Sequence, residues 1–452
     1  MNTDPSHLSR RDFLSKSLTG VGAGLVLGAP GILRAASAQD SDAIHVAIVG
    51  FGKQGREALF ASMKNIPGLH FQAVCDIWDY NRENAVKAVA AHQGTKPNSY
   101  VDIDDMLAKE KGLDVAIIAT PDFWHSPHTV KCLEAGLHVY CEKMMSNTLD
   151  GARAMVKAME KTGKLCQIGH QRRSNPRYLF TLNRLINGQK ICGQIVNING
   201  QWNRSLGASN DIGYSKKLTI DTGVLNRYGY KDMHQFMNWR TFRDLSGGPI
   251  SDLGAHQIDV FNWFLGVAPK RVFATGGNSY FKQREHFDNV MCLFDYDTPQ
   301  GEVRAFYQVL TTTSYGGGFF ESIMGTEASV KISEIPSASA IYKEDGADKG
   351  KWEELVKRGY LLKKPAPPKP EAAEGAVKAY ESAPPEIYDL PGSFAKPAHQ
   401  PHLENFFAAV RGKAKLNCDA RHAFESEAPI FWVNPSALSK QPIELTSEHL
   451  AV

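Results

Sequence analysis

Residues 43–55 read AIHVAIVGFGKQG, and this stretch decides the fold. Its first half is a short apolar run rich in β-branched residues, typical of a strand buried in a parallel sheet. The run leads into the spacing G-x-G-x-x-G at Gly50, Phe51, Gly52, Lys53, Gln54 and Gly55. The first glycine permits a tight turn, the second lets a pyrophosphate approach the backbone, and the third lets helix and strand pack closely. A helix that begins near Lys53 would point its free N–H groups at that phosphate.

A second apolar run, residues 71–75, ends in Asp76. This position lies about 20 residues past the glycines, where a carboxylate accepts hydrogen bonds from a ribose diol. A carboxylate also repels a 2′-phosphate, which favours NAD over NADP. An ordinary glycine turn in another α/β unit is the alternative, but strand, glycines, helix-compatible run and acidic residue occur here together. The sequence therefore predicts a dinucleotide site.

The chain beyond this motif predicts two kinds of sheet, so the expected fold class is α/β. From 44 to 168, strand-like runs alternate with helical patterns, as in a parallel Rossmann sheet with helices on both faces. Later runs lack intervening helices, which predicts an α+β domain with an open, mostly antiparallel sheet. Residues 205–238 lack clear periodicity and are expected to form a long loop over the site.

Five segments follow from these patterns. We expect a signal peptide at 1–38, a Rossmann domain at 39–170, and a substrate and oligomerisation domain at 171–335. Residues 336–398 are rich in Pro, Ala, Lys and Glu and are expected to form an extended surface insertion that buries little. Residues 399–452 are expected to pack back on the body as a C-terminal helix and tail.

Composition excludes some classes of function. The 452 residues are 42% hydrophobic and carry a net charge of +3, typical of a soluble globular protein with no nucleic-acid partner. The seven cysteines lie mostly in apolar runs without any C-x-x-C, which indicates small buried hydrophobes, although an exported protein could form a disulfide. His125 and His128 have metal-ligand spacing but lack further ligands, so no metal is predicted.

Residues 1–38 have the features of an export signal. Arg10-Arg11 precede a mildly apolar stretch, and Ala36-Ser37-Ala38 fits an A-x-A cleavage site. The combination is typical of a twin-arginine signal cleaved after Ala38, rather than an uncleaved anchor or a basic disordered tail. We therefore expect a periplasmic or extracellular protein, with the twin-arginine export machinery as a partner. Because that route exports folded proteins, the cofactor would be acquired in the cytoplasm and tightly held.

Two further turns should border the predicted dinucleotide site. TPDFWH at 120–125 follows the fourth strand-like run, and CEKM at 141–144 follows the fifth. With these turns the chain resembles the Gfo/Idh/MocA family (glucose-fructose oxidoreductase, inositol dehydrogenase and rhizopine catabolism) over residues 44–332 and the helix near His402. The resemblance implies that Thr120, Pro121 and His125 border the cofactor. It also implies that Glu142 and Lys143 place the lysine beside the nicotinamide and the reacting hydroxyl, although Met144 replaces the usual proline.

A predicted helix at 251–265 carries Asp252 and His256 on one face, because they are four residues apart. The carboxylate could orient the imidazole as a general base, or it could cap the helix beside a structural histidine. The spacing leaves both possible. The resemblance implies the first, since this helix matches the family's D-x-G-x-H-x-x-D, whose Asp and His surround the substrate with the lysine. Asp259 on the same face is expected to be structural.

The sequence IGHQRR at 168–173 ends the last Rossmann strand. Members of the family often have an arginine pair here. Arg172 or Arg173, with Tyr178, could contact substrate hydroxyls or the cofactor. An ion pair that joins the two domains is equally compatible with the pattern.

These residues predict hydride transfer between a sugar-like secondary alcohol and a nicotinamide. His256 or Lys143 would take the hydroxyl proton, Lys143 would stabilise the alkoxide charge, and Asp252 would hold His256. Two alternatives remain open, a redox-assisted lyase or glycosidase with retained NAD and a non-catalytic sugar-binding or cofactor-binding protein. A carbohydrate substrate and a homo-oligomer, dimer or tetramer, are the other expected partners.

Overall fold

The computed structural model describes residues 43–365, 385–392 and 396–452. The predicted signal at 1–38 and part of the predicted insertion therefore lie outside the described residues. Two sheets organise the described chain, one of six strands and one of ten. This arrangement confirms the predicted α/β class, with a Rossmann sheet followed by an open, mostly antiparallel sheet.

The first sheet is parallel, with the order β3-β2-β1-β4-β5-β6. Its strands are β1 (Ile44–Val49), β2 (Leu69–Cys75), β3 (Asn98–Tyr100), β4 (Val115–Ile118), β5 (His138–Cys141) and β6 (Cys166–Ile168). Its helices are Gln54–Phe60 (a π-helix), Ala61–Met63, Asp79–Gln93, Ile103–Lys109, Asp122–Glu134 and Leu149–Thr162. Because the strand order reverses between β1 and β4, a crevice opens beyond the carboxyl ends of these two strands.

Short helices connect the two sheets. They are Gln171–Ser174 (3-10), Pro176–Phe180 and Thr181–Gly188 (a π-helix). The second sheet has the order β14-β15-β13-β12-β11-β7-β10-β9-β8-β16, and only β7 and β10 pair in parallel. Its first strands are β7 (Ile195–Asn203), β8 (Arg271–Gly277), β9 (Asn289–Thr298), β10 (Gly301–Leu310), β11 (Phe319–Gly325) and β12 (Ala328–Ile332).

One face of the second sheet is covered by the π-helix Ile250–Gly254 and the α-helix Ala255–Leu265 that continues it. Phe261 of this helix is fully buried with Tyr296 and Tyr307 of the sheet. The helix approaches β7 so closely that a Cβ on Gly200 would lie 2.8 Å from the Phe261 ring. This close packing fixes the helix start, where Asp252 and His256 lie.

Residues 205–246, which we call the cap, correct the expectation of a long loop. They contain the short helices Leu206–Ser209, Thr222–Arg227, Met233–Met237 and Trp239–Thr241 (3-10). Apolar cap side chains bury one another in a small separate cluster that includes Leu225, Tyr230 and Trp239. Short helices of this kind leave no long periodic signal, but their aromatic residues supply enough apolar surface to hold them together.

The described part of the predicted insertion is also different from the expectation. It contributes Pro336–Ala338 (3-10), β13 (Ala340–Lys343), the helix Lys349–Lys357, β14 (Leu362–Lys363) and β15 (Glu386–Asp389). The expectation that this segment buries little is wrong here, because Trp352, Leu355 and Tyr388 are buried in the core of the second sheet. The average composition concealed these few apolar residues, which are enough to anchor an added sheet edge.

The C-terminal segment returns to the first sheet. It comprises the helices Gln400–Val410, Ala420–Glu427, Ala428–Trp432 (3-10), Val433–Ser439 and Ser447–Leu450, with β16 (Ile443–Glu444) before the last. Leu403, Phe406 and Phe407 pack into the same core as Val46 and Ile48 of β1. The Rossmann core therefore contains residues from both ends of the described chain.

All seven cysteines are buried free thiols, which confirms that they act as small hydrophobes. Within the described residues, none of the helices has the length and apolar character needed to cross a bilayer.

Candidate active site

The glycine turn after β1 fits a bound dinucleotide. Gly50 has a φ of +89°, and a Cβ there would lie 2.7 Å from the carbonyl oxygen of Ala119 at the end of β4. A Cβ on Gly55 would strike the backbone of Gly50, so this glycine lets the helix pack against the turn. A Cβ on Gly52 would meet no atom within 4 Å, which leaves that side of the turn open to a ligand.

Asp76 lies at the end of β2 beside this turn. Its carboxylate accepts hydrogen bonds from the backbone N–H of Phe51 at 2.8 Å and of Trp78 at 2.9 Å, and from Asn81 at 3.1 Å. A carboxylate has about four acceptor positions, so one remains for a ribose hydroxyl. Phe51 itself is buried and its N–H is already used, so it shapes the turn and leaves phosphate contact to its neighbours. Lys53 caps the helix that begins at Gln54.

His125 joins the two turns that follow β4 and β5. Its Nδ1 lies 2.6 Å from the carbonyl oxygen of Met144, and its Nε2 lies 2.6 Å from that of Thr120. The His125 side chain is buried, and so is Glu142. The Glu142 carboxylate accepts a hydrogen bond from the Tyr140 hydroxyl at 3.3 Å. Pro121 begins the helix Asp122–Glu134. The residues of these two turns that were predicted to contact the cofactor therefore make hydrogen bonds within the turns themselves. Lys143 is the residue whose side chain extends out of the turns.

Lys143 meets the second domain at Asp252. Its amino group donates a hydrogen bond to the backbone oxygen of Asp252 and lies 3.8 Å from the carboxylate. The peptide bond between Lys143 and Met144 is cis. The structure thus brings the predicted lysine and the predicted aspartate together.

The prediction that Asp252 holds His256 is wrong, because the Asp252 carboxylate has other partners. Its carboxylate accepts a hydrogen bond from Arg240 Nε at 3.0 Å and lies 3.8 Å from Arg204. Burial would raise the pKa of this carboxyl, but Arg240, Lys143 and Arg204 together hold the pKa below its usual range. A carboxylate surrounded by cations has stronger partners than a neutral imidazole, which explains the difference.

His256 lies beside the same lysine with no hydrogen-bond partner for its buried Nδ1 among the described groups. Its ring packs on Trp202, with centroids 5.5 Å apart. Burial, and then the charges of Lys143 and Arg172, place the pKa of this imidazole well below 6.5. The ring is therefore neutral near pH 7 and can accept a proton.

Arg172, Arg173 and Tyr178 are not open to a ligand, so the predicted substrate contacts are wrong. Arg172 pairs with Glu321 at 2.9 Å and with Glu334 at 3.1 Å, and the Tyr178 hydroxyl donates to Glu321 at 2.7 Å. The other predicted outcome, a buried ion pair, is the one observed.

Arg173 pairs with Asp259 at 2.7 Å, which makes Asp259 structural as expected. His170 adds to this group by facing Glu427 at 2.8 Å and Asp259 at 3.7 Å. Partners from distant parts of the chain take most of the donor positions of the two buried guanidiniums, and Arg172 Nη2 is buried with no hydrogen-bond partner in the described part of the chain.

Sequence reasoning missed four residues around the site. Arg204 follows β7 and Arg240 lies in the cap, and both face Asp252. Asp122 is buried near Lys143 and Arg240, and burial raises the pKa of its carboxyl to about 6. His399 Nε2 lies 3.0 Å from the Gln54 amide nitrogen, beside the glycine turn. Asp122 was visible within TPDFWH, but nothing local marks the other three.

No cluster of three or more His, Cys, Asp or Glu side chains in the described residues is arranged to hold a metal ion.

Family profiles match most of the chain. The profile GFO_IDH_MocA, described as "Oxidoreductase family, NAD-binding Rossmann fold", matches residues 44–170. Its companion, "Oxidoreductase family, C-terminal alpha/beta domain", matches residues 210–445. The second profile alone spans more than half of the 452 residues.

Individual relatives are distant. A 4-carboxy-2-hydroxymuconate-6-semialdehyde dehydrogenase of Sphingobium is 32% identical over 34% of this chain and 46% of its own length. A scyllo-inositol 2-dehydrogenase (NAD(+)) of Bacillus subtilis is 23% identical over 65% of this chain and 74% of its own length. A solved levoglucosan dehydrogenase in complex with NADH and L-sorbose shares the fold, with a TM-score of 0.65 at 14% identity over 89% of this chain and 99% of that one.

Proposed function

The chain belongs to the Gfo/Idh/MocA family of NAD-binding oxidoreductases, and from this premise we propose that it oxidises a secondary hydroxyl of a sugar, glycoside or polyol by hydride transfer. The observation that carries the proposal is the meeting of Lys143 with the helix that bears Asp252 and His256. The inositol 2-dehydrogenase relative supports a polyol-like substrate class.

The roles of the two basic side chains follow from their surroundings. His256 is the proton acceptor, because its buried Nδ1 has no hydrogen-bond partner among the residues that the structure describes and its ring lies beside Lys143. Lys143 stabilises the developing alkoxide with its positive charge. Asp252 fixes the lysine amino group by accepting its hydrogen bond through the backbone oxygen and by lying 3.8 Å away through the carboxylate. The bound nicotinamide supplies the hydride acceptor.

We propose NAD rather than NADP as the cofactor. The glycine turn and Asp76 would hold it at the ends of β1 and β2. A 2′-phosphate would have to lie beside the Asp76 carboxylate, which is already fixed by three hydrogen bonds and cannot turn away. Repulsion between the two anions favours the cofactor without the phosphate.

We further propose that the cofactor is retained between turnovers, because the cap is fastened over the ends of β2 and β4. The Tyr228 hydroxyl donates to Asp102 at 2.8 Å, and the Trp124 indole N–H donates to the Tyr228 carbonyl oxygen at 3.1 Å. Phe236 packs on Trp78 with ring centroids 5.7 Å apart. A dinucleotide on this edge would be enclosed by contacts that must break before it leaves.

The test is to incubate the purified protein with a panel of polyols, sugars and glycosides and to identify the products. A keto-sugar supports the oxidoreductase, released sugar indicates redox-assisted cleavage, and binding without product indicates a sensor. Absorbance of the protein as purified, in the reduced-nicotinamide band, checks whether the cofactor is retained.

Lys143→Ala provides the matched variant. We expect turnover to fall by at least about a hundredfold, because a charge that stabilises the transition state is removed, while bound cofactor is unchanged. Lys131→Ala, on the exposed face of the helix Asp122–Glu134, is the control and should retain normal turnover. Normal activity in Lys143→Ala would refute the assignment.

We propose a homo-oligomer that forms through the outer face of the second sheet. Phe273 of β8 and Leu293 of β9 lie directly opposite each other in register, and both are exposed. Paired exposed apolar residues on an open sheet are typical of an interface. Sedimentation of the wild type and of Leu293→Asp tests this, and a dimer or tetramer that becomes a monomer supports it.

We also propose export by the twin-arginine route and a periplasmic or extracellular location. The support is the sequence of residues 1–38, with Arg10-Arg11 and the Ala36-Ser37-Ala38 site. Cell fractionation of the wild type and of an Arg10→Lys, Arg11→Lys variant tests the location, because the variant should remain in the cytoplasm.

A further inference from the structure

An open pocket lies on the substrate side of Asp252. About 750 Å³ of space, part of it open to solvent, is lined by Arg204, Arg240, Asp252 and Arg284, and also by Asp211 and Asp288. The arginines come from three separate segments, after β7, in the cap and in the loop between β8 and β9. The fold thus brings three arginines and three aspartates together at a place that the local sequence does not mark.

The cations nearest to Asp252 outnumber it. Lys143, Arg204 and Arg240 lie 3.8, 3.8 and 3.0 Å from its carboxylate, so three positive groups share one negative group. The side chains of Arg204 and Arg240 are 34% and 47% exposed, towards the pocket. Arg240 uses its Nε on Asp252, whereas the terminal nitrogens of a guanidinium remain to donate.

The other carboxylates in the neighbourhood have hydrogen-bond partners other than Arg204 and Arg240. Asp211 pairs with Arg284 at 2.6 Å, and Asp288 accepts backbone N–H groups of residues 279–281. Asp122 faces Lys143 and Arg240 from the other side and is buried away from Arg204. Lys143, Arg204 and Arg240 together carry one positive charge more than Asp252 and Asp122, and Asp288 balances that charge in the pocket lining as a whole.

Both arginines also lie near aromatic rings. Arg240 lies 4.2 Å from the centroid of the Trp239 ring, and Arg204 lies 5.8 Å from that of Trp202. A cation beside an aromatic ring gains a favourable cation–π interaction, and the two terminal nitrogens of a guanidinium match the two oxygens of a carboxylate.

We propose that Arg204 and Arg240 bind a carboxylate of the substrate, so that the substrate is an acidic sugar. The inference rests on the proposed function, since it names the substrate class of the same site. Because the two arginines and Lys143 contact the same aspartate, the carboxylate and the reacting hydroxyl belong to one sugar unit. A sugar phosphate offers related chemistry and is distinguished by the test.

The test measures binding without turnover, by tryptophan fluorescence of the full-length protein. The probes are D-glucuronate and D-galacturonate, each against its neutral counterpart, D-glucose or D-galactose, with glucose 6-phosphate as the phosphate arm. We expect at least one uronate to bind about tenfold or more tighter than its neutral partner, with an affinity that falls as salt is added. Tighter binding of the phosphate than of either uronate would overturn the carboxylate assignment.

Arg204→Gln and Arg240→Gln should each weaken uronate binding by about ten- to a hundredfold, a larger loss than for the neutral sugars. Arg284→Gln is the matched control, because this arginine lines the same pocket but already pairs with Asp211. Arg204→Lys retains the charge without the fork and should give an intermediate loss, which keeps the test informative if a glutamine variant does not fold.

Equal affinity for the acidic and neutral sugars, or an equal loss in Arg284→Gln, overturns the proposal. Failure of the proposed function gives a different result. Uronate binding that depends on both arginines, without a keto product, would refute the oxidoreductase and leave the arginine assignment standing. Turnover of neutral sugars with no uronate preference would support the oxidoreductase and refute the arginine assignment.

Discussion

Two arginine-rich groups lie close together in this molecule and differ in how their charges are matched. In the junction cluster, Arg172 and Arg173 are buried and each has a carboxylate within 2.9 Å. In the site cluster, Arg204 and Arg240 share a single aspartate with Lys143 and remain accessible. Charge that is matched and buried holds the two sheets together, whereas charge that is unmatched and accessible is available to a ligand.

The largest effect is expected at His256. Replacing it by alanine removes the proton acceptor, so kcat/KM should fall by about 10²- to 10⁴-fold, while the free energy of unfolding changes little. His402→Ala is the matched control, because that buried histidine faces Ser174 Oγ at 2.6 Å and the Ile168 carbonyl at 2.8 Å. It should lose stability instead. Full activity in His256→Ala would contradict its role.

Arg173→Met should break the junction cluster. It leaves Asp259 buried without its main partner, and the free energy of unfolding should fall by roughly 3–5 kcal/mol, measured by chemical denaturation. The double variant Arg173→Met, Asp259→Leu should recover most of the loss. Arg240→Gln in the site cluster should cost less than about 1 kcal/mol, because that side chain is half exposed. Similar losses for Arg173→Met and Arg240→Gln would remove the distinction between the clusters.

The smallest effect is on the pH profile. A general base must be unprotonated, and the pKa of His256 is lowered by burial and by Lys143, so protonation begins well below pH 6.5. We expect kcat/KM to stay level from pH 6.5 upward through neutrality, with its acid limb at lower pH. An acid limb centred near pH 6 that disappears in Asp122→Asn would assign the limb to Asp122, whose pKa is about 6.

The sequence was sufficient to locate features whose residues lie close together along the chain. The glycine turn, Lys143, and the pair Asp252 and His256 belong to local motifs. The alternation of strands and helices predicted the first sheet, and strand-like runs without intervening helices predicted the second. Arg172 was misassigned because its partner Glu321 lies 149 residues away and cannot be seen from the IGHQRR motif. Arg204 was missed for the same reason, since its proposed role depends on its distance from Asp252 and Lys143. A charge shows its role only when the distances to its opposite charges are known.

The helix Gln400–Val410 has a consequence for how the protein is made. Leu403, Phe406 and Phe407 complete the core beneath β1, the strand that leads into the glycine turn. A ribosome must therefore translate past residue 410 before the first sheet has its full set of neighbours. Nascent chains that stop earlier lack part of this core.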